Sequence, residues 1–155
     1  MRYSQGVEWM LHGVGLIAQL PDGMSISRKA LSEYYQLPDA YLAKHLKALV
    51  RAGVLVASSG PSGGFRLARP PQEITALDIV EAIEGSAAPF QCQEIRRRVP
   101  ETLGASKYRA PCTIAVMMDR AHQAWRSALR EVTVEDLMNM TPKRIREGNA
   151  ARFAR

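Results

Sequence analysis

Cysteine is scarce in this 155-residue chain, with two, Cys92 and Cys112, and no C-x-x-C pair. That excludes a disulfide-rich scaffold and a four-thiolate zinc ribbon. Aromatics are few, at 6%. No run of about 18 apolar residues exists, so no membrane-spanning helix is expected, and no cationic start leads into an apolar signal core. A cytoplasmic protein with no membrane partner is the expectation. No internal repeat or low-complexity segment stands out. Also missing are a nucleophile–base constellation, a phosphate-cradling loop and a dinucleotide fingerprint, since the Gly60–Gly64 turn lies between strands rather than opening a helix. An enzyme is therefore not expected. Acidic residues are outnumbered 15 to 21 by Lys and Arg, giving a net charge of +6. That balance points to a polyanionic partner.

Apolar spacing organises what is present. Val7, Met10, Leu11, Val14, Ile17 and Ala18 lie on one face of a helix over residues 4–20. Ser27 caps a short helix through Tyr35, Gln36 to Pro38 make a turn, and a second helix runs from Asp39 to Ala52. Gly53 stops it. Two strands flanking a Ser/Gly-rich turn follow, and Thr75 caps another helix. After Gly85 comes a loop bearing both cysteines, then a long helical pattern from Cys112 to Val132. Ile114, Met117, Met118, Ala121, Trp125, Ala128 and Val132 form its apolar seam, suited to a dimer interface. A short helix follows through Met140.

The expected fold class is mainly α with a small β-wing, a winged helix-turn-helix plus a long dimerisation helix. Residues 1–85 make the DNA-binding domain, 86–112 the cysteine loop, 113–140 the dimerisation helix and its short successor, and 141–155 a basic, flexible tail. In such a fold the second helix enters the major groove, while basic side chains and backbone N–H groups hold phosphates. Tyr41, Lys44, His45 and Lys47 form the groove-side set. Arg28, Ser59, Gly60, Ser62, Gly63 and Arg66 serve the backbone from the first helix and the wing. Double-stranded DNA is the expected partner.

The runs Y-L-A-K-H-L-K-A-L-V-R-A-G-V-L (Tyr41 to Leu55), G-P-S-G-G-F-R-L-A-R-P (Gly60 to Pro70) and E-I-T-A-L-D-I-V-E-A-I-E-G (Glu73 to Gly85) resemble the Rrf2 family. These are bacterial winged-helix transcription regulators of the IscR, NsrR and RsrR group. The resemblance covers about residues 1–140. It implies a homodimer, a palindromic operator and often an iron–sulfur cluster near the dimer interface; a repressor is the expectation. Most cluster-binding members carry three loop cysteines; this chain has two. Ser59 stands where a basic residue often precedes the wing glycine. The RsrR type is the nearest likeness, with two loop cysteines and a Glu and a His on the first helix. Those match Glu8 and His12 within G-V-E-W-M-L-H (Gly6 to His12).

By that similarity a [2Fe–2S] cluster, lost in an apo preparation, is held by Cys92, Cys112 and the Glu8 and His12 of the partner protomer. Imidazole and carboxylate in place of thiolate would raise its potential and give it weak, pH-sensitive points of attachment. Trp9, between the two helix ligands, is a candidate switch. Zinc suits the same donors. A Cys92/Cys112 thiol–disulfide switch without a cluster is the alternative reading.

Overall fold

The computed structural model describes residues 3–60, 63–98 and 110–153. Among them are seven α-helices and one two-stranded sheet. The order is α1 (Gln5–Ile17), α2 (Arg28–Tyr35), α3 (Asp39–Arg51), β1 (Leu55–Ser58), β2 (Gly64–Leu67), α4 (Ala76–Glu84), α5 (Thr113–Arg130), α6 (Val134–Met140) and α7 (Lys143–Phe153). Two compact units are formed. The smaller is Ala87–Ala128; the larger takes the chain up to Ser86 together with Leu129–Arg155.

The larger unit folds around one apolar cluster. Met10, Val14 and Leu16 of α1 meet Leu31 of α2, Leu42, Leu46 and Leu49 of α3, and Ile74, Ile79 and Val134. Each such side chain, fully buried, contributes about 1.5–3 kcal/mol. Ser27 caps α2 by accepting from the Ala30 N–H at 3.1 Å. Gln36, in the left-handed region, closes it. α3 ends in a Schellman arrangement: Val54 N–H donates to Leu49 O at 3.0 Å and Gly53 N–H to Val50 O at 3.1 Å. That turn delivers Val54 to the core and starts the wing.

β1 and β2 pair antiparallel, from Leu55 opposite Leu67 to Ser58 opposite Gly64. Gly60 turns the hairpin at φ +102°, which side chains with a Cβ rarely adopt. Phe65 bridges back to Ile26 ahead of α2, which ties the wing to the helix pair. Thr75 and Thr133 each cap a helix through a capping box with Asp78 and Asp136. They also face one another in a β-bridge, which fixes α6 beside α4.

The expected flexible tail is corrected. Residues 143–153 form α7, and it is anchored: Tyr34 Oη donates to Asn149 Oδ1 at 2.7 Å, Asn149 Nδ2 donates to Gln19 Oε1 at 2.8 Å, and Phe153 packs on the Tyr34 ring. Its surplus of positive charge conceals these contacts in the sequence. In the smaller unit, α5 has no buried residue of its own. The seam assigned to it is split: Met118 and Trp125 are half-buried, whereas Ile114 and Met117 are each 54% exposed.

Candidate functional site

The two cysteines come together in the smaller unit. Cys112 immediately precedes α5, where the Ala115 and Ile114 backbone N–H groups and the Cys92 thiol act on its sulfur. The Ala115 N–H first, then the Ile114 N–H, the Cys92 thiol and the Arg96 guanidinium, lower its pKa below the usual thiol range, while burial opposes them. Glu94 N–H donates to Cys92 Sγ at 3.4 Å. Arg96 binds the Glu94 carboxylate and donates to Ala110 O at 3.1 Å, so it joins the Cys92 side of the loop to the Cys112 side. A cysteine of lowered pKa at a helix N-terminus beside a guanidinium suits a nucleophile, a redox group or a metal ligand.

Glu8 and His12 lie in the larger unit, one turn apart on the exposed face of α1. With Trp9, Tyr35 and Leu37 they line a cleft of about 300 Å³. Tyr35, which the sequence reading did not single out, donates from its phenol to the His12 carbonyl at 3.1 Å. Burial, with Tyr34 adding to it, pushes that phenol up to about 12, so it remains a donor. Among the described residues no group of three or more His, Cys, Asp or Glu is gathered for a metal ion. The four proposed ligands form two pairs, one in each unit.

The side chains suit such a cluster in two halves. The cysteine half offers an electron-rich sulfur pair with N–H donors and a cation beside it. The α1 half offers a carboxylate and an imidazole with free exposed ends.

α3 is positioned by α1. Trp9 stands edge-on to both Tyr41 and His45, with ring centroids 6.4 and 6.3 Å away. His45 is corrected: it is 8% exposed and turned into the α1 contact rather than toward a groove. The room comes from Gly6, where an added Cβ would meet His45 Cε1 at 2.5 Å. Tyr41, at 61% exposure, and Lys44 and Lys47 remain outward. Arg28 sits at the start of α2, paired with Asp39 at 2.8 Å across the turn. Ser59, Gly60 and Arg66 are exposed on the wing, and Gly63 is half-buried. Ser62 lies outside the described residues.

Against known proteins, the sequence model of the family described as Rrf2, iron-dependent transcriptional regulator, matches residues 3–140. YwgB of Bacillus subtilis, which carries the name of an HTH-type transcriptional regulator, is 28% identical over 139 residues, 90% of this chain and 85% of that protein. The fold is similar to that of CymR (YrzC), the global cysteine regulator of B. subtilis, with TM-score 0.69 and 24% identity over 92% of this chain and 99% of CymR. It is also similar to T. potens IscR, with TM-score 0.68 and 20% identity over 93% of this chain and 90% of that one.

Proposed function

This chain belongs to the Rrf2 family of transcriptional regulators, and on that premise we propose that it is a homodimeric DNA-binding repressor, cytoplasmic, whose affinity for a palindromic operator is governed at Cys92 and Cys112. The family and its relatives are regulators of transcription, not enzymes. The observation that carries the reading is Cys112 at the start of α5 with Cys92 beside it, its pKa lowered by the Ala115 and Ile114 N–H groups, the Cys92 thiol and Arg96.

Cys92 and Cys112, with Glu8 and His12 of the partner protomer, would hold a [2Fe–2S] cluster, which supplies one-electron chemistry when bound. The protein's own residues do the rest. Cys112 has its thiol pKa held below the usual range, first by the Ala115 N–H. Glu8 and His12 are presented together from one turn of α1. Trp9, the candidate switch, leans on Tyr41 and His45, so a displacement of the α1 turn is carried to α3. Because operator half-sites lie roughly 34 Å apart, a small rotation of α3 mismatches the pair. Lys44, Lys47, Arg28 and Arg66 supply phosphate contacts, Tyr41 reaches toward base edges, and Ser59, Gly60, Ser62 and Gly63 bring the wing backbone close to DNA.

A second reading keeps the DNA binding and drops the cluster. The influence of the Cys92 thiol on Cys112 places the two side by side and favours it: a two-electron oxidant would join the two thiols in a disulfide with loss of two protons. That the CymR of Staphylococcus aureus, similar in fold, has been solved in an oxidised form is in keeping with it.

One experiment separates the two. Anaerobically purified protein is examined by visible spectroscopy with iron and sulfide analysis, then assayed for binding to DNA selected in vitro. The cluster reading expects absorbance that bleaches on reduction and is lost in Glu8→Ala or His12→Ala. Colourless protein whose DNA binding responds to reductant in wild type and Glu8→Ala alike favours the disulfide.

A further inference from the structure

In the larger unit, α1, α3 and α4 meet around a cleft of about 620 Å³. Trp9 lines it from α1, Tyr41, Lys44 and His45 from α3, and Ile83 and Glu84 from the end of α4.

The two charges in this cleft are held apart. Glu84 accepts the Ser4 N–H at 2.9 Å and the Ser4 hydroxyl at 2.6 Å, both on Oε1. The carboxylate is thereby fixed beside the start of α1, and its Oε2 takes no hydrogen bond from a described residue. Lys44 forms no ion pair among the described residues, with Glu84 or with any other acid. Both charges still reach the same imidazole: burial first, then Lys44, lowers the pKa of His45, and Glu84 raises it. His45 is 8% exposed and makes no hydrogen bond with a described residue, yet its ring nitrogens are not fully enclosed. It therefore offers the cleft one donor and one acceptor.

This arrangement discriminates by charge. A lone anion meets Glu84 and a lone cation meets Lys44. An apolar molecule strips water from both charges and returns nothing. A molecule with a carboxylate and an ammonium a few bonds apart pairs with both. Trp9, Tyr41 and Ile83 supply an apolar wall for whatever else it carries.

We propose that this cleft binds a zwitterionic α-amino acid with an apolar side chain. Its carboxylate meets Lys44, its ammonium meets Glu84 Oε2, and its side chain lies against Trp9, Tyr41 and Ile83, with the His45 imidazole between the two charges. Lys44 and Tyr41 are groups offered to DNA, so the amino acid and the operator exclude one another. Only that exclusion rests on the DNA-binding reading; the binding itself is measured without DNA.

Full-length protein is titrated by calorimetry with L-phenylalanine, with 3-phenylpropanoate, which lacks the ammonium, and with 2-phenylethylamine, which lacks the carboxylate. Saturable binding of L-phenylalanine is expected, on the order of tenfold tighter than either analogue. Glu84→Gln, which keeps an acceptor for Ser4 but not the charge, should bring L-phenylalanine to the level of 3-phenylpropanoate. Lys44→Met, at an exposed position, should bring it to the level of 2-phenylethylamine. No saturable heat, an analogue as tight as L-phenylalanine, or unchanged affinity in either variant overturns the proposal. L-Phenylalanine at ten times its dissociation constant should weaken binding to DNA selected in vitro about elevenfold. DNA bound equally tightly overturns the exclusion. Protein that binds no DNA at all fails the regulatory reading instead, and the calorimetry alone then decides the site.

Discussion

A histidine packed under the backbone of Gly6 has its ring held toward the neutral form. Burial is the main cause; the neighbouring Lys44 ammonium adds to it and the Glu84 carboxylate opposes it. The folded pKa of His45 therefore lies below the unfolded value of about 6.5. Stability linked to His45 is complete above about pH 6.5 and is lost as pH falls through the folded pKa, because the unfolded chain then binds the extra proton. The urea midpoint of the protein should drop between about pH 7.5 and about pH 5.5, and part of that drop should be absent in His45→Phe. Gly6 offers a second check on the same contact. Gly6→Ala drives a methyl into the imidazole, and overpacking of that kind costs about 1–3 kcal/mol. Denaturant unfolding should show the loss, and adding His45→Ala should restore part of it, a coupling that two independent sites would not show.

At the scale of elements, α3 divides its faces between two tasks. Leu42, Leu46 and Leu49 anchor it in the core, His45 meets α1, and Lys44 and Lys47 stay in water. Lys44→Ala should weaken DNA binding nearly uniformly across sequences and lower the salt-dependence slope by about one, read from affinities at several salt concentrations. An unchanged slope would remove Lys44 from the phosphate contacts. The existence of α1, α2, α3 and α4 was legible from helical spacing and from Ser27, Thr75 and Gly53, because caps and apolar stripes act locally. α7 was not, since its anchors Asn149 and Phe153 join Gln19 and Tyr34, more than a hundred positions away. His45 was misread for a related reason. It borders the Leu42–Leu46 stripe, and only the gap at Gly6 decides whether the ring turns in or out.

For the molecule as a whole, the exposed stripe on α5 is the feature that calls for a second copy. Ile114 and Met117 are each 54% exposed, and Ala121, Ala124 and Ala128 continue the stripe. A helix with an unburied apolar face is stable when a partner covers it. Met117→Glu should shift sedimentation from dimer toward monomer. Operator affinity should fall with it, because a palindrome is read by two linked heads. A dimer unaffected by this substitution would place the interface elsewhere.

Local chemistry determined much of this protein from its sequence. Helix periods, caps, the Gly-rich wing turn and the surplus of Lys and Arg carry their meaning in neighbouring residues, so the DNA-reading architecture could be read directly. Tertiary structure alone decided which distant groups meet. Cys92 comes beside Cys112 and lowers its pKa, and His45 fills the space left by Gly6. Such meetings depend on how the chain closes loops between residues far apart, and spacing along the sequence does not encode that closure.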